Sequence, residues 1–327
     1  MAREKYIDIV KGIAIWGIVL SHYEENVLPN SIRIFIGSFM VMVFYIASGW
    51  ISLMKVENTN LKLFAKKRWK QLMIPYLWWT TIILVFDFIL LCFGYYDIQY
   101  IGKEIYKTIT LRGIGTLWFL PALFMGELLW NYLKTHKIKL IISLLFIVIY
   151  TELYNMIFSD FPKDAIHWII NAPFRSLDNM LIAFLGVMCG HFASHFFNKL
   201  KNPIASFIIG LLLCCIGYIS LSLMINWPLI LRLICTSIST SIGLFIFFKP
   251  LQNIELWRFF EYWGRNSLNL MVTHYSIILV LFKITIENYL GYEFIGNITI
   301  IAFVLSIPIQ WLLILLISKY ANFTLGK

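Results

Sequence analysis

Charged residues are scarce. Asp, Glu, Lys and Arg make up 13% of the 327 residues, where an ordinary soluble domain carries about 25%. Hydrophobic residues reach 60%, and the mean hydropathy is +0.78. So much apolar surface cannot be hidden in one water-soluble core, so a soluble fold is excluded and lipid must be the solvent. No Ser/Gly/Pro-rich linker, low-complexity tract or internal repeat divides the chain, and residues 1–327 read as a single domain. Cys92, Cys189, Cys214, Cys215 and Cys235 all lie inside apolar runs without metal-ligand spacing. They read as small buried residues, and neither a disulfide framework nor a metal centre is expected. No small-residue cleavage site follows the first apolar run, which also carries charges, so that run reads as a retained helix rather than a signal peptide.

What is present is a series of apolar stretches long enough to cross a bilayer, which takes roughly 20 residues each. The spans fall near 6–24, 34–54, 72–95, 114–133, 138–158, 177–196, 203–224, 228–248, 266–286 and 296–318. The expected architecture is therefore an all-α polytopic membrane protein of about ten transmembrane helices. An even number of spans puts both termini on one side. Assigning that side to the cytoplasm places Arg3 and Lys5, the run Lys55, Lys62, Lys66, Lys67, Arg68 and Lys70, and most other cations inside. Outside fall Arg33, Lys103, Lys107, Arg112, Lys163 and Arg175. This agrees with the positive-inside rule. The net charge of +10 is thus a topology signal with attraction to anionic membrane lipids, and no nucleic-acid partner is expected.

Ionisable groups within spans are costly and point to function. In the first span, Lys11 and His22 are eleven residues apart, close to three whole turns, so they share one helix face. Asp8, three residues before Lys11, is placed to pair with it. The stripe of acid, base and imidazole runs roughly 20 Å along the helix. Taken singly, Asp8 and Lys11 read as a snorkelling pair and His22 as an interfacial residue. His274 lies in the ninth span about two turns after Asn266 and Ser267, as either a packing residue or a proton handler. Arg232 stands near the end of the eighth span, and Asp87 and Glu127 are further acids within spans. Trp118 sits in a Leu-Trp-Phe-Leu-Pro run, as a membrane-belt aromatic before a proline would. The segment Lys62–Lys70 is a basic amphipathic stretch suited to an inner-leaflet surface or to a phosphate-rich ligand.

Five motifs follow in one order. Tyr6-Ile7-Asp8-x-x-Lys11-Gly12-Ile13, ending at His22, resembles the opening helix of the acyltransferase family 3 membrane proteins. Phe44-Tyr45-Ile46-Ala47-Ser48-Gly49-Trp50 is similar to the family's "FFxxSGF" element, and Lys67 to Tyr76 to its basic "RxxRLLxPY" stretch. Leu117-Trp118-Phe119-Leu120 resembles "WFLxxL", and Tyr262-Trp263-Gly264-Arg265-Asn266-Ser267-Leu268 ending at His274 resembles "YxGxNSLxxYxxH". Each motif is short, but the ordered set runs from residue 3 to about 274 on a matching hydropathy profile. The chain departs from the pattern in three places. Lys11 stands where the family often has arginine, which keeps the charge without the bidentate fork. Gln71 replaces the second arginine of the basic pair, and Met271 or Val272 replaces a late tyrosine.

The resemblance implies an O-acyltransferase, typically an O-acetyltransferase, in the plasma membrane of a bacterium. It would move an acyl group from cytoplasmic acetyl-CoA or another acyl-CoA to a hydroxyl of a cell-surface or lipid-linked carbohydrate, without a metal. Arg68, Lys67 and Lys70 would hold the donor phosphates. His22 would act as general base or carry the acyl group, with Lys11 and Asp8 ordering charge along its helix. Trp118, Asn266, Ser267 and His274 would bind the acceptor. The oligomeric state stays open between monomer and homo-oligomer. The rival class is a multi-pass exporter of a glycan or small molecule, against which stands the absence of two similar halves with matching broken helices.

Overall fold

A computed structural model of the chain describes residues 4–23, 29–54, 60–159, 165–223 and 227–326. Arg3, Lys55 and Lys163 of the basic pattern lie outside them. The described residues are helical, in the order α1 Lys5–Tyr23, α2 Asn30–Met54, α3 Leu61–Cys92, α4 Ile98–Ile109, α5 Phe119–Leu133, α6 Lys137–Phe158, α7 Ala165–Phe197, α8 Pro203–Leu223, α9 Leu229–Phe248, α10 Arg258–Arg265, α11 Ser267–Tyr289 and α12 Asn297–Tyr320. Eight of these are long and apolar enough to cross a membrane among the described residues: α2, α3, α6, α7, α8, α9, α11 and α12. The protein is an all-α polytopic membrane protein. The first and fourth expected spans correspond to α1, which carries Lys5, Asp8 and Lys11, and to the 15-residue α5.

The differences from expectation have local causes. Helix α3 starts eleven residues before the expected 72, because the basic stretch is itself helical and Asn60 caps it, its side-chain oxygen accepting from the Lys62 N–H at 3.0 Å. Helix α4 was not among the expected spans. Its Asp97 cap accepts from the Tyr100 N–H at 2.6 Å, and the Tyr76 hydroxyl of α3 donates to the Thr108 carbonyl at 3.0 Å. Helix α5 begins late because Leu111, Gly113 and Gly115 all have positive φ, at 56°, 67° and 52°. Helix α7 starts twelve residues before the expected 177 and contains Pro173. Proline cannot donate to the carbonyl four residues earlier. That carbonyl, Ile169, accepts from the Tyr106 hydroxyl at 3.0 Å instead.

The chain packs as two compact units: Met1–Asn58 with Leu185–Leu270 and Ile295–Val304, and Thr59–Phe184 with Met271–Phe294 and Leu305–Lys327. In the first unit α1 crosses α10 at two glycines. A methyl on Gly12 would lie 1.9 Å from the Phe260 carbonyl oxygen, and one on Gly264 1.7 Å from that of Asp8. Small residues at such a crossing let two helix backbones touch. Trp16 fills the next turn, its ring 4.9 Å from Trp263 and 5.6 Å from Phe303, both edge-on. The opening and second-helix motifs also meet here: the buried Trp50 indole donates to the Tyr6 hydroxyl at 3.0 Å and stacks on Phe245 of α9 at 5.4 Å. After α9, the Lys249 ammonium donates to the carbonyls of Phe197 and Leu200 at 3.1 and 3.3 Å, a cation on the C-terminal end of α7. Burial pushes that ammonium below its ordinary range.

In the second unit, α3 changes from α to π geometry over Trp69–Met73 and returns to α just before Pro75. Helix α6 and the first half of α7 are joined by side chains. Tyr150 donates to the Phe174 carbonyl, and Tyr154 to the Asn171 side chain, each at 2.8 Å.

The glycine crossing makes a direct prediction. Gly264→Val should lower stability by about 1–3 kcal/mol or more, the cost of overpacking, while Gly102→Val, where a side chain meets open space, should leave stability unchanged or raise it by less than about 1 kcal/mol, because glycine is the poorer helix former. Thermal unfolding of both variants in detergent, followed by tryptophan fluorescence, checks the contrast.

Candidate active site

The Asp8–Lys11 pair of α1 forms as its spacing suggests. Asp8 is buried, and Lys11 Nζ lies 3.6 Å from its Oδ1. Its other oxygen, Oδ2, lies 3.7 Å from Arg265 Nε. Arg265 also pairs with Glu261 one turn earlier on α10. The carboxylate therefore sits between two cations. Asn266 and Ser267 follow Arg265 directly, so these expected acceptor residues adjoin the Asp8 pair within the first unit. The Asn266 side-chain amide donates to the Tyr262 carbonyl at 2.9 Å, and Ser267 is buried. His22 lies on the last turn of α1 with its side chain exposed, and Lys11 is half-buried. Sequence reasoning did not single out Arg265 as a site residue. The available signal was a pair of glycines, Gly12 four residues after Asp8 and Gly264 just before Arg265.

The basic stretch of α3 divides by face. Arg68 points inward and makes a two-pronged ion pair with Glu127 of α5, through Nε and NH2. Its NH1 donates to Gln71 Oε1 at 2.6 Å. The lysines point the other way. Lys66, Lys67 and Lys70, with Leu63, Gln71 and Gly326, line an open cavity of about 480 Å³. The two further acids within expected spans thus acquire neighbours. Glu127 holds Arg68, and Asp87 lies within electrostatic reach of Glu104 and Lys107, which pair with each other on α4. Beside them Tyr96 stacks on Tyr100 at 4.1 Å. Burial, then the Glu104 carboxylate, pushes the Tyr100 phenol well above its ordinary value and keeps it a neutral donor.

Trp118 and His274 belong to the second unit. The loop that ends at Trp118 is tight: a methyl on Gly113 would lie 2.2 Å from the Trp118 nitrogen. The Thr116 hydroxyl in that loop donates to the Met271 carbonyl at 2.6 Å, and Gly115 packs against Ser276 and Tyr275. The Trp118 loop and the His274 turn are therefore neighbours. His274 is fully buried and opens a π turn, His274–Leu279. The preceding Thr273 donates to Gln310 of α12 at 2.8 Å, with both side chains buried. Among the described residues, no group of three or more His, Cys, Asp or Glu is placed to hold a metal ion.

The Arg68–Glu127 pair can be weighed by a double-mutant cycle. Only Glu127 is fully buried, so removing Arg68 strands a buried carboxylate, at a cost toward about 3–5 kcal/mol, while removing Glu127 leaves a guanidinium that reaches solvent and costs less. Arg68→Met should therefore destabilise the protein strongly, and adding Glu127→Gln to it should restore part of the loss. Additive losses in chemical denaturation would show that the two side chains do not interact.

A family profile described as an acyltransferase domain matches residues 4–318, nearly the whole chain. No curated protein and no solved structure matches. The profile spans all five ordered motifs, including the α1 stripe and the α3 basic segment, and on that ground the chain belongs to acyltransferase family 3 and is a membrane acyltransferase.

Proposed function

We propose that the protein is an O-acetyltransferase that takes its acyl group from cytoplasmic acyl-CoA and delivers it to a hydroxyl of a cell-surface or lipid-linked carbohydrate. The observation that carries the donor half is the cavity lined by Lys66, Lys67 and Lys70. Three lysines lining one open cavity suit a ligand rich in phosphate, and coenzyme A bears three phosphoryl groups at its nucleotide end. Cations on the cytoplasmic side also meet the donor where it is made, in keeping with a chain that has both ends inside. We assign phosphate contact to Lys67 and Lys70. Arg68, held on Glu127 and Gln71, acts as a positioning residue that fixes the face on which the lysines stand.

In the chemical step, His22 takes the proton from the acceptor hydroxyl as its oxygen attacks the thioester carbonyl carbon. The carbon–sulfur bond breaks, the acyl group forms an ester with the carbohydrate, and the coenzyme leaves as a thiolate that recovers the proton from the imidazolium. A histidine whose ordinary pKa is near 6.5 suits both transfers at neutral pH. The exposed position of His22 at the end of α1 supports the assignment, because an incoming hydroxyl must reach the ring. Lys11 and Asp8 order charge along the same helix. Trp118, Asn266, Ser267 and His274 are assigned to the acceptor, with the buried His274 acting through hydrogen bonding. The setting proposed is the plasma membrane of a bacterium.

Two measurements test the reading. His22→Ala should lower acetyl transfer by a factor of about 100 or more, the usual scale for a lost general base, with unchanged thermal stability. Retention of activity by that variant would remove His22 from the mechanism. In coenzyme A titrations, Lys67→Gln and Lys70→Gln should each weaken binding, and increasingly so as salt is lowered. A salt-independent loss would point to packing instead of charge.

A further inference from the structure

Beyond α12 the chain does not trail away. Residues Asn322–Leu325 form a 3-10 turn, Thr324 and Leu325 are buried, and the Thr324 hydroxyl donates to the Ala321 carbonyl at 2.7 Å. Phe323 meets the Trp78 ring of α3 edge-on at 5.1 Å. Gly326 follows in a left-handed conformation, with φ at 69°, and lines the lysine cavity.

Its seat on α3 has a specific cause. Pro75 has no N–H, so in the π turn it cannot serve the carbonyl five residues earlier, that of Lys70. The N–H of Ile74, the other near donor, is committed to the Trp69 carbonyl. The Lys70 carbonyl is thus left over by its own helix, and Gly326 packs against it. A methyl on Gly326 would lie 1.9 Å from that oxygen and 3.3 Å from Pro75 Cδ. No residue with a Cβ fits here, and the positive φ favours glycine as well. A backbone Cα–H against a carbonyl oxygen is itself a weak attraction.

We propose that the turn Asn322–Leu325, closed by Gly326, is a fixed wall of the donor cavity, and that it positions Lys70 for anion binding by clamping that residue's own backbone carbonyl. The inference rests on the reading of the cavity as a phosphate site. Chemically, a cation held from behind gives up less conformational freedom when a phosphate arrives, which raises affinity without adding a contact. The wall itself brings no charge, so its contribution is separable from that of the lysines. It predicts a specificity effect confined to the donor: loosening the wall weakens coenzyme A and leaves the acceptor untouched.

The test is calorimetric titration of coenzyme A into the purified full chain, comparing wild type with Gly326→Val, Phe323→Ala and Lys70→Gln, alongside steady-state acetyl transfer. Phe323→Ala removes the anchor of the turn without crowding the Lys70 carbonyl, and it reads the proposal if Gly326→Val does not fold. The expected result is a loss of affinity of about tenfold, or about 1.4 kcal/mol, in all three variants. Donor KM should rise in step, while acceptor KM and kcat stay near wild type. Weaker binding in Lys70→Gln, with wild-type or tighter binding in Gly326→Val and Phe323→Ala, would overturn the wall and leave the phosphate site standing. Coenzyme A binding that none of the three substitutions alters, or no binding by the wild type, would overturn the cavity's assignment and the wall with it.

Discussion

A carboxylate buried in an apolar helix is held by the protein or not at all. Leaving it unpaired costs several kcal/mol, and lipid offers no alternative partner. The first unit is organised around meeting that demand at Asp8. One cation comes from the same helix, Lys11, and the other from Arg265 on α10. Arg265 reaches because α1 and α10 touch at Gly12 and Gly264, where neither backbone leaves room for a Cβ. The same crossing sets the Trp16 cluster against Trp263 and Phe303 and fixes where α11 begins, since Asn266 and Ser267 follow Arg265 without a break. Charge satisfaction and close packing here are one arrangement.

The second unit treats its charges differently. Five cations crowd into Lys62–Lys70, and the helix sorts them by face. Arg68 takes the inward position, where a planar guanidinium can engage both oxygens of Glu127, a geometry an ammonium cannot copy. Lys66, Lys67 and Lys70 are exposed and line the open cavity. The loss of the second arginine to Gln71 fits this division, because Gln71 supplies an acceptor for Arg68 NH1 and a second guanidinium there could not.

What could be read from the sequence was what local chemistry determines. The run of apolar stretches declared the all-helical membrane fold, and three-turn spacing put Asp8, Lys11 and His22 on one helix. The basic segment marked the lysines that line the cavity. What escaped depends on partners far along the chain. Glu127 lies 59 residues from Arg68, and no periodicity links them. Arg265 looked like a topology charge until Gly264 was seen against Asp8. Helix α4 was passed over because only one of its faces is apolar and it is too short to span a bilayer, and the helical start of α7 because His167, Asn171 and Arg175 make it wetter than the span that follows. A tyrosine hydroxyl from α4 satisfies the carbonyl that Pro173 leaves, which is invisible before the fold is known.

The π turns carry a consequence of their own. A π turn is an α-helix with one residue too many, and such turns tend to sit at functional positions. In α3 the surplus residue falls within Trp69–Met73, immediately after Arg68, and in α11 a π turn opens at His274. Each absorbs its surplus residue in one wide turn, so the two ends of the helix keep the faces of a regular helix one residue shorter. Deleting one residue from Trp69–Met73 would let the helix close as a regular α-helix with both ends facing as they do now, whereas deleting one from the regular turns that follow would rotate the basic segment through about 100° relative to the rest of the helix. The second deletion would take Arg68 off Glu127 and turn the lysines off the cavity, so the site can lose a residue from the π turn but not from the α turns beside it.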